Sequence, residues 1–188
     1  MKYLLYLSIF LFNINPTFLK AQDTLAPQNK SSHIALGIQM SSFGQDFGWG
    51  LHLTSPYFVK ERLAVRLSAQ YQYYEHVDTS KNTVWSPYWA FDLGLVSASA
   101  VLLDFLRLYS HTGAIVALPN AQFSSKAVAF GAFSKLGIEL MFSSNQKAWG
   151  SYFIEGGWVG IFSAADKLPN APIYGNGFLA STGVRFYF

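Results

Sequence analysis

The stretch LAVRLSAQYQY (Leu63–Tyr73) decides the reading of this chain: Leu63, Val65, Leu67, Ala69, Tyr71 and Tyr73 alternate with Arg66, Ser68, Gln70 and Gln72. A strand turns successive side chains to opposite faces, so strict alternation over eleven residues predicts one apolar and one polar face. The same rhythm recurs on both sides of it. Upstream, Ile34, Leu36, Ile38 and Met40 mark a strand over 33–43, and Phe47, Trp49, Leu51 and Leu53 mark one over 47–54. Downstream, Trp89, Phe91, Leu93 and Leu95 fall within 87–99, and Leu106, Leu108, Ala114 and Val116 within 105–117. Val128, Phe130, Leu136, Ile138, Leu140 and Phe142 define 127–142, and Tyr152, Ile154 and Trp158 define 148–162. Phe178, Val184, Phe186 and Phe188 complete the series over 177–188. Eight segments of roughly ten residues, separated by turn residues, are the pattern of transmembrane strands.

Composition points the same way. The chain is 51% hydrophobic, 18% aromatic and only 12% charged, whereas charged residues make up about a quarter of a soluble domain. After the N-terminus no apolar run is long enough for a membrane helix, which needs roughly 20 residues. An apolar chain without such a helix satisfies its backbone in a membrane by closing strands into a barrel. The expected fold is therefore all-β, an eight-stranded antiparallel up-and-down transmembrane β-barrel over residues 33–188.

The N-terminus reads as an export signal. Lys2 precedes the apolar run Tyr3–Phe12, which Asn13, Asn15 and Pro16 interrupt, and Ala21 offers a cleavage position. Residues 1–21 are expected to be a signal peptide and 22–32, with Pro27, a flexible periplasmic lead-in. With no Cys in the chain, neither a lipid-modified cysteine nor a disulfide framework is expected. Without Lys2 and Lys20, thirteen Lys/Arg become eleven against ten Asp/Glu, a net charge near +1. That balance leaves no basic stripe for nucleic acid.

The odd-numbered connections, 44–46, 76–86, 119–126 and 163–176, include the longest. The even-numbered ones, 55–61, 102–104 and 143–147, are expected on the periplasmic side. Tyr71, Tyr73, Trp85 and Trp89 read as the outer aromatic girdle, and Tyr57, Phe142, Trp149, Phe186 and Phe188 as the inner one. Gly37, Gly48, Gly50, Gly94, Gly113, Gly131, Gly137, Gly157 and Gly183 fall on the polar face. Small residues there make room in a narrow lumen for Tyr109, Phe133 and Tyr187.

The ending Gly183-Val184-Arg185-Phe186-Tyr187-Phe188 resembles the C-terminal strand of outer-membrane barrel proteins. Length, rhythm and the Ala21-Gln22 step are similar to those of the small OmpA/OmpX-like eight-stranded barrels common in Bacteroidetes. The resemblance implies residence in the Gram-negative outer membrane, among its lipid and lipopolysaccharide, with both chain ends in the periplasm. It also implies recognition by the barrel assembly machinery through Val184, Phe186 and Phe188. It does not imply one activity, because this fold hosts unrelated roles.

Chemistry-bearing residues are few. His76, Asp78 and Ser80 share the second outer connection, and outer-membrane palmitoyl transferases keep His, Asp and Ser near that face. Nothing in the spacing sets a base beside a nucleophile. Ser110-His111-Thr112-Gly113-Ala114 is similar to the His-x-Ser-Asn-Ala run of lipid A deacylases, but Gly113 stands at the serine position. No two of His33, His52, His76 and His111 share metal-ligand spacing, so no metal or cofactor is expected.

The polar face carries Arg66, Asp92, Arg107, His111, Lys135, Glu139, Glu155 and Arg185. Counting from the turns places Arg107 near Glu139, Lys135 near Glu155, Glu155 near Arg185, and Asp92 near His111. Paired charges of this kind form an ionic plug, since buried charges need partners. The expected protein is a non-enzymatic, monomeric outer-membrane barrel with a filled lumen, structural or acting through its outer loops. The alternatives are a lipid-modifying enzyme of acyltransferase or deacylase type and a narrow pore.

Overall fold

The computed structural model describes residues 33–77, 82–102, 105–144 and 147–188. The expected signal peptide and lead-in, together with Asp78 and Ser80, lie outside the described residues. The strands are β1 (Ala35–Phe43), β2 (Asp46–Thr54), β3 (Leu63–Val77), β4 (Thr83–Leu102), β5 (Leu106–Leu118), β6 (Ala129–Ser144), β7 (Lys147–Ile161) and β8 (Gly177–Tyr187). Each pairs antiparallel with the next, and β8 returns to β1 from Ala35 opposite Tyr187 to Phe43 opposite Leu179. The ring is closed, and the outer ends of β3 and β4 extend beyond their β2 and β5 partners.

The alternation has become an inversion of the usual burial. Leu36, Leu51, Leu67, Leu93, Ile138 and Ile154 are between 44% and 56% exposed on the outside, whereas Arg66, Glu155 and Arg185 are at most 2% exposed inside. An apolar belt around a polar interior is the transmembrane arrangement.

Several boundaries differ from the expected ones, most of all at β4, which runs over Thr83–Leu102 rather than 87–99. The connection placed over 76–86 is much shorter, because β3 continues to Val77 opposite Thr83. His76 therefore lies in a strand, opposite Val84. Pro87, expected at the start of a strand, sits inside β4. Pairing of β4 with β5 begins only at Trp89 opposite Leu118, so β4 is an edge strand at Pro87 and tolerates it there.

Tyr71 lies 5.0 Å from Trp89 and 5.3 Å from Tyr73 at the end away from the chain termini, and Trp149 lies 5.5 Å from Phe142 at the terminal end. Tyr57 does not join that lower girdle. It packs against the inward cluster of Ala64, Val96, Ala98 and Tyr109, with the Arg107 guanidinium 4.9 Å above its ring.

Candidate functional site: the filled lumen

The strands bring four cations and two glutamates together near the middle of the interior. Glu155 on β7 accepts from Arg66 Nη1 at 2.5 Å and Tyr109 OH at 2.6 Å through Oε1. Its Oε2 accepts from Ser181 Oγ at 2.8 Å and lies 2.6 Å from Lys135 Nζ. Glu139 on β6 accepts from Arg185 Nη1 at 2.5 Å, from Ser151 Oγ at 2.6 Å and from Tyr187 OH, all on Oε1. Its Oε2 lies 3.6 Å from Arg107 Nη1. Two cations and several hydroxyls around each carboxylate offset the cost of removing these charges from water.

Arg185 Nε donates to His52 Nε2 at 3.1 Å. Arginine only donates, so Nε2 is an acceptor and the proton sits on Nδ1, which donates to Gln39 Oε1 at 3.1 Å. Inward glycines admit these side chains: a Cβ on Gly37 would come within 2.3 Å of the His52 ring, and one on Gly137 within 2.3 Å of the Tyr109 ring.

Arg107 lies opposite Glu139, as counting from the turn places it. Lys135 and Glu155 also meet, diagonally: the residues directly opposite them are Gly157 and Gly137. Two expected neighbours are not brought together. Arg185 is opposite Ser151, not Glu155, and turns to Glu139, while Glu155 takes Arg66 from β3. Asp92 is opposite Ile115 and accepts from Ser68 Oγ at 2.9 Å and Gln70 Nε2 at 2.7 Å. His111, opposite Val96, stands edge-on to Phe133 at 4.7 Å. The physical reasons are plain. Asp92 misses His111 by four residues chiefly because β4 runs past its expected end at 99 to Leu102. The bulge between Ala98 and Val101 moves the β4–β5 register by only one, and the long 162–176 connection sets no count for β7–β8. A narrow lumen also lets long side chains reach strands that are not neighbours.

A second closure lies at the end away from the chain termini. Phe123, from the β5–β6 connection, sits edge-on to Tyr174 at 5.0 Å and Tyr74 at 5.2 Å, and 6.2 Å from Tyr88. Phe43, Ile115, Ile161 and Leu179 belong to the same buried cluster. Asp46 accepts from Tyr88 OH at 2.6 Å and Gly175 N at 2.9 Å. The β5–β6 and β7–β8 connections are stitched by Asp166, which accepts from Ser125 N at 2.8 Å and from Ser125 Oγ. Lys167 Nζ adds a bond to Ala121 O at 2.7 Å. Those Ser125 bonds hold the Asp166 carboxyl below its ordinary range, and burial pushes the Tyr174 phenol up. Sequence reasoning missed this cap. Tyr74 and Tyr88 share the inward parity of Gln72 and Asp92, which was a usable signal, whereas Phe123 and Tyr174 lie in irregular connections with no period. His76 stacks on Tyr74 at 5.4 Å and lies 6.3 Å from Phe123, at the fringe of the cap.

No family model matches the chain, and no curated protein does. Among solved structures, the outer membrane protein OprG from Pseudomonas aeruginosa is similar with a TM-score of 0.59 and 12% identity, covering 85% of this chain and 97% of that one. The N-terminal β-barrel domain of Pseudomonas aeruginosa OprF is similar with a TM-score of 0.51 and 13% identity, covering 84% of this chain and 98% of that one. The chain has the fold of the small outer-membrane barrels: eight antiparallel strands closed on themselves, apolar outside and polar within.

Proposed function

We propose that this protein is an integral component of a Gram-negative outer membrane that neither conducts nor catalyses, and that its role is structural or is exercised through the connections at the end away from the chain termini. On this reading residues 1–21 are a cleaved export signal and both chain ends face the periplasm. The belt contacts outer-membrane lipid and lipopolysaccharide, and Val184, Phe186 and Phe188 present the last strand to the assembly machinery. The reading takes the molecule as a monomer, supported by a closed ring that leaves no full-length strand edge for a second copy to extend.

The observation that carries the proposal is the double closure of the lumen. Arg66, Glu155, Lys135, Tyr109, Glu139 and Arg185 interlock across it, and the Phe123 cluster sits above them. Side chains that fill a small barrel in this way leave it a packed core rather than a channel. The test is a planar-bilayer recording of the protein purified from membranes. No stepwise conductance above the bare bilayer is expected. Stable, repeatable steps would turn the reading into a pore.

A further inference from the structure

The lumen charges do not balance. Arg66 and Lys135 share Glu155, and Arg107 and Arg185 share Glu139, so each of two carboxylates serves two cations. Asp92 is the nearest further acid, two residues along from the level of Arg66, because Ser68 is its opposite number. That is roughly 7 Å along the strand, and both its oxygens are taken by Ser68 and Gln70. Asp46 lies eight residues along β2 from Thr54, the residue opposite Arg66. That separation is roughly 26 Å, and Asp46 is held in the aromatic cap by Tyr88. Counting Asp92 in full, the middle of the lumen has four cations against three carboxylates among the described residues, and one positive charge is left over.

Spare donors accompany the spare charge. Arg66 Nη2 and Arg185 Nη2 are buried with no hydrogen-bond partner among the described residues, as is Gln39 Nε2. Arg66 and Arg185 are themselves at most 1% exposed, and their guanidiniums lie 5.3 and 5.7 Å from the same Tyr109 ring. Unmet donors on buried charges are costly, and a water would satisfy the hydrogen bonds without neutralising the charge. We propose that the lumen binds a small monovalent anion of halide size on the unpaired N–H groups of Arg66 and Arg185 beside Tyr109. One residual charge calls for one negative charge, and a lumen packed with side chains calls for a small carrier of it. Gln39 lies across the His52 ring from Arg185, outside the anion's own contacts but in the same buried layer, where a fixed negative charge would take over the balance.

The test is equilibrium unfolding of the protein, purified from membranes and refolded into lipid bilayers, in chloride or in gluconate at fixed ionic strength. A ligand that binds only the folded state multiplies the folding constant by one plus its concentration over its dissociation constant. Each tenfold rise in chloride above that constant is therefore expected to raise the folding constant about tenfold, while gluconate leaves it flat. An equal response to both salts would reduce the effect to screening and overturn the proposal. Q39E places a carboxylate beside His52 and is expected to abolish the chloride response and raise stability in gluconate; a response that survives Q39E would also overturn it. Bromide-soaked crystals of the unaltered protein give an independent reading that needs no variant to fold. Anomalous density between Arg66 and Arg185 is expected, and none there would end the proposal.

Discussion

Glu155 concentrates the energetics of the interior at a single residue. Its carboxylate receives Arg66, Lys135, Tyr109 and Ser181, and its side chain is fully buried. Glu155→Gln would leave Arg66 and Lys135 facing each other without an acid between them. Removing one partner of a buried network costs about 3 to 5 kcal/mol, so this variant is expected to unfold at clearly lower denaturant. Adding Lys135→Met should recover part of the loss, because one of the two stranded cations goes with it. A single variant as stable as the parent would show that the carboxylate is not the anchor of this layer. The face on which Glu155 lies was legible from alternation alone. Its partner Arg66 was not, since the contact spans from β3 to β7 and no neighbour rule reaches across a lumen.

Connections and strand ends behave differently from strand middles. The cap depends on two irregular segments held together by Asp166 and Ser125, and their lack of period hid them in the sequence. The lowered Asp166 pKa sets the sign of a pH effect. A depressed carboxyl adds stability above its unfolded value, about 3.9, and loses it as pH falls through the lower folded value. The clasp between the two connections is thus expected to hold at neutral pH and to loosen only in strong acid. Hydrogen exchange at Ser125 N should be protected at neutral pH and lose that protection below the ordinary carboxyl range, and Asp166→Asn should remove the transition. A protection factor that ignores pH in the unaltered protein would remove Asp166 from this role. At the other end, Val184 and Phe186 face outward on β8, with Phe188 beyond it 72% exposed and its backbone N bonded to Ile34 O at 2.9 Å. Deleting Phe188 removes both that bond and the last apolar side chain of the row. A several-fold drop in heat-modifiable folded protein is expected; unchanged levels would detach the terminal aromatic from assembly.

At the scale of the whole molecule, the account stands on closure and register. Strand number, order and facing were legible because one buried and one lipid-facing side impose a period of two on every strand. Register was legible for β5–β6, where Arg107 falls opposite Glu139, and illegible where β4 runs past its expected end to Leu102 or where the long β7–β8 connection gives no count. Every lumen pairing inherits that register, and a slip along the β1–β8 seam would reassign Arg185. The chain has no Cys, so an introduced pair reports without background. Ile38 and Val184 are directly opposite across the seam, at a spacing of about 4.5 to 5.5 Å between Cα atoms that suits a disulfide. The decisive measurement is oxidation of the folded protein carrying Ile38→Cys with Val184→Cys, compared with Ile38→Cys and Ala180→Cys, four residues displaced. The account predicts near-complete crosslinking of the first pair and almost none of the second; no crosslink in the first, or preference for the second, would contradict the closed barrel and the lumen built on it.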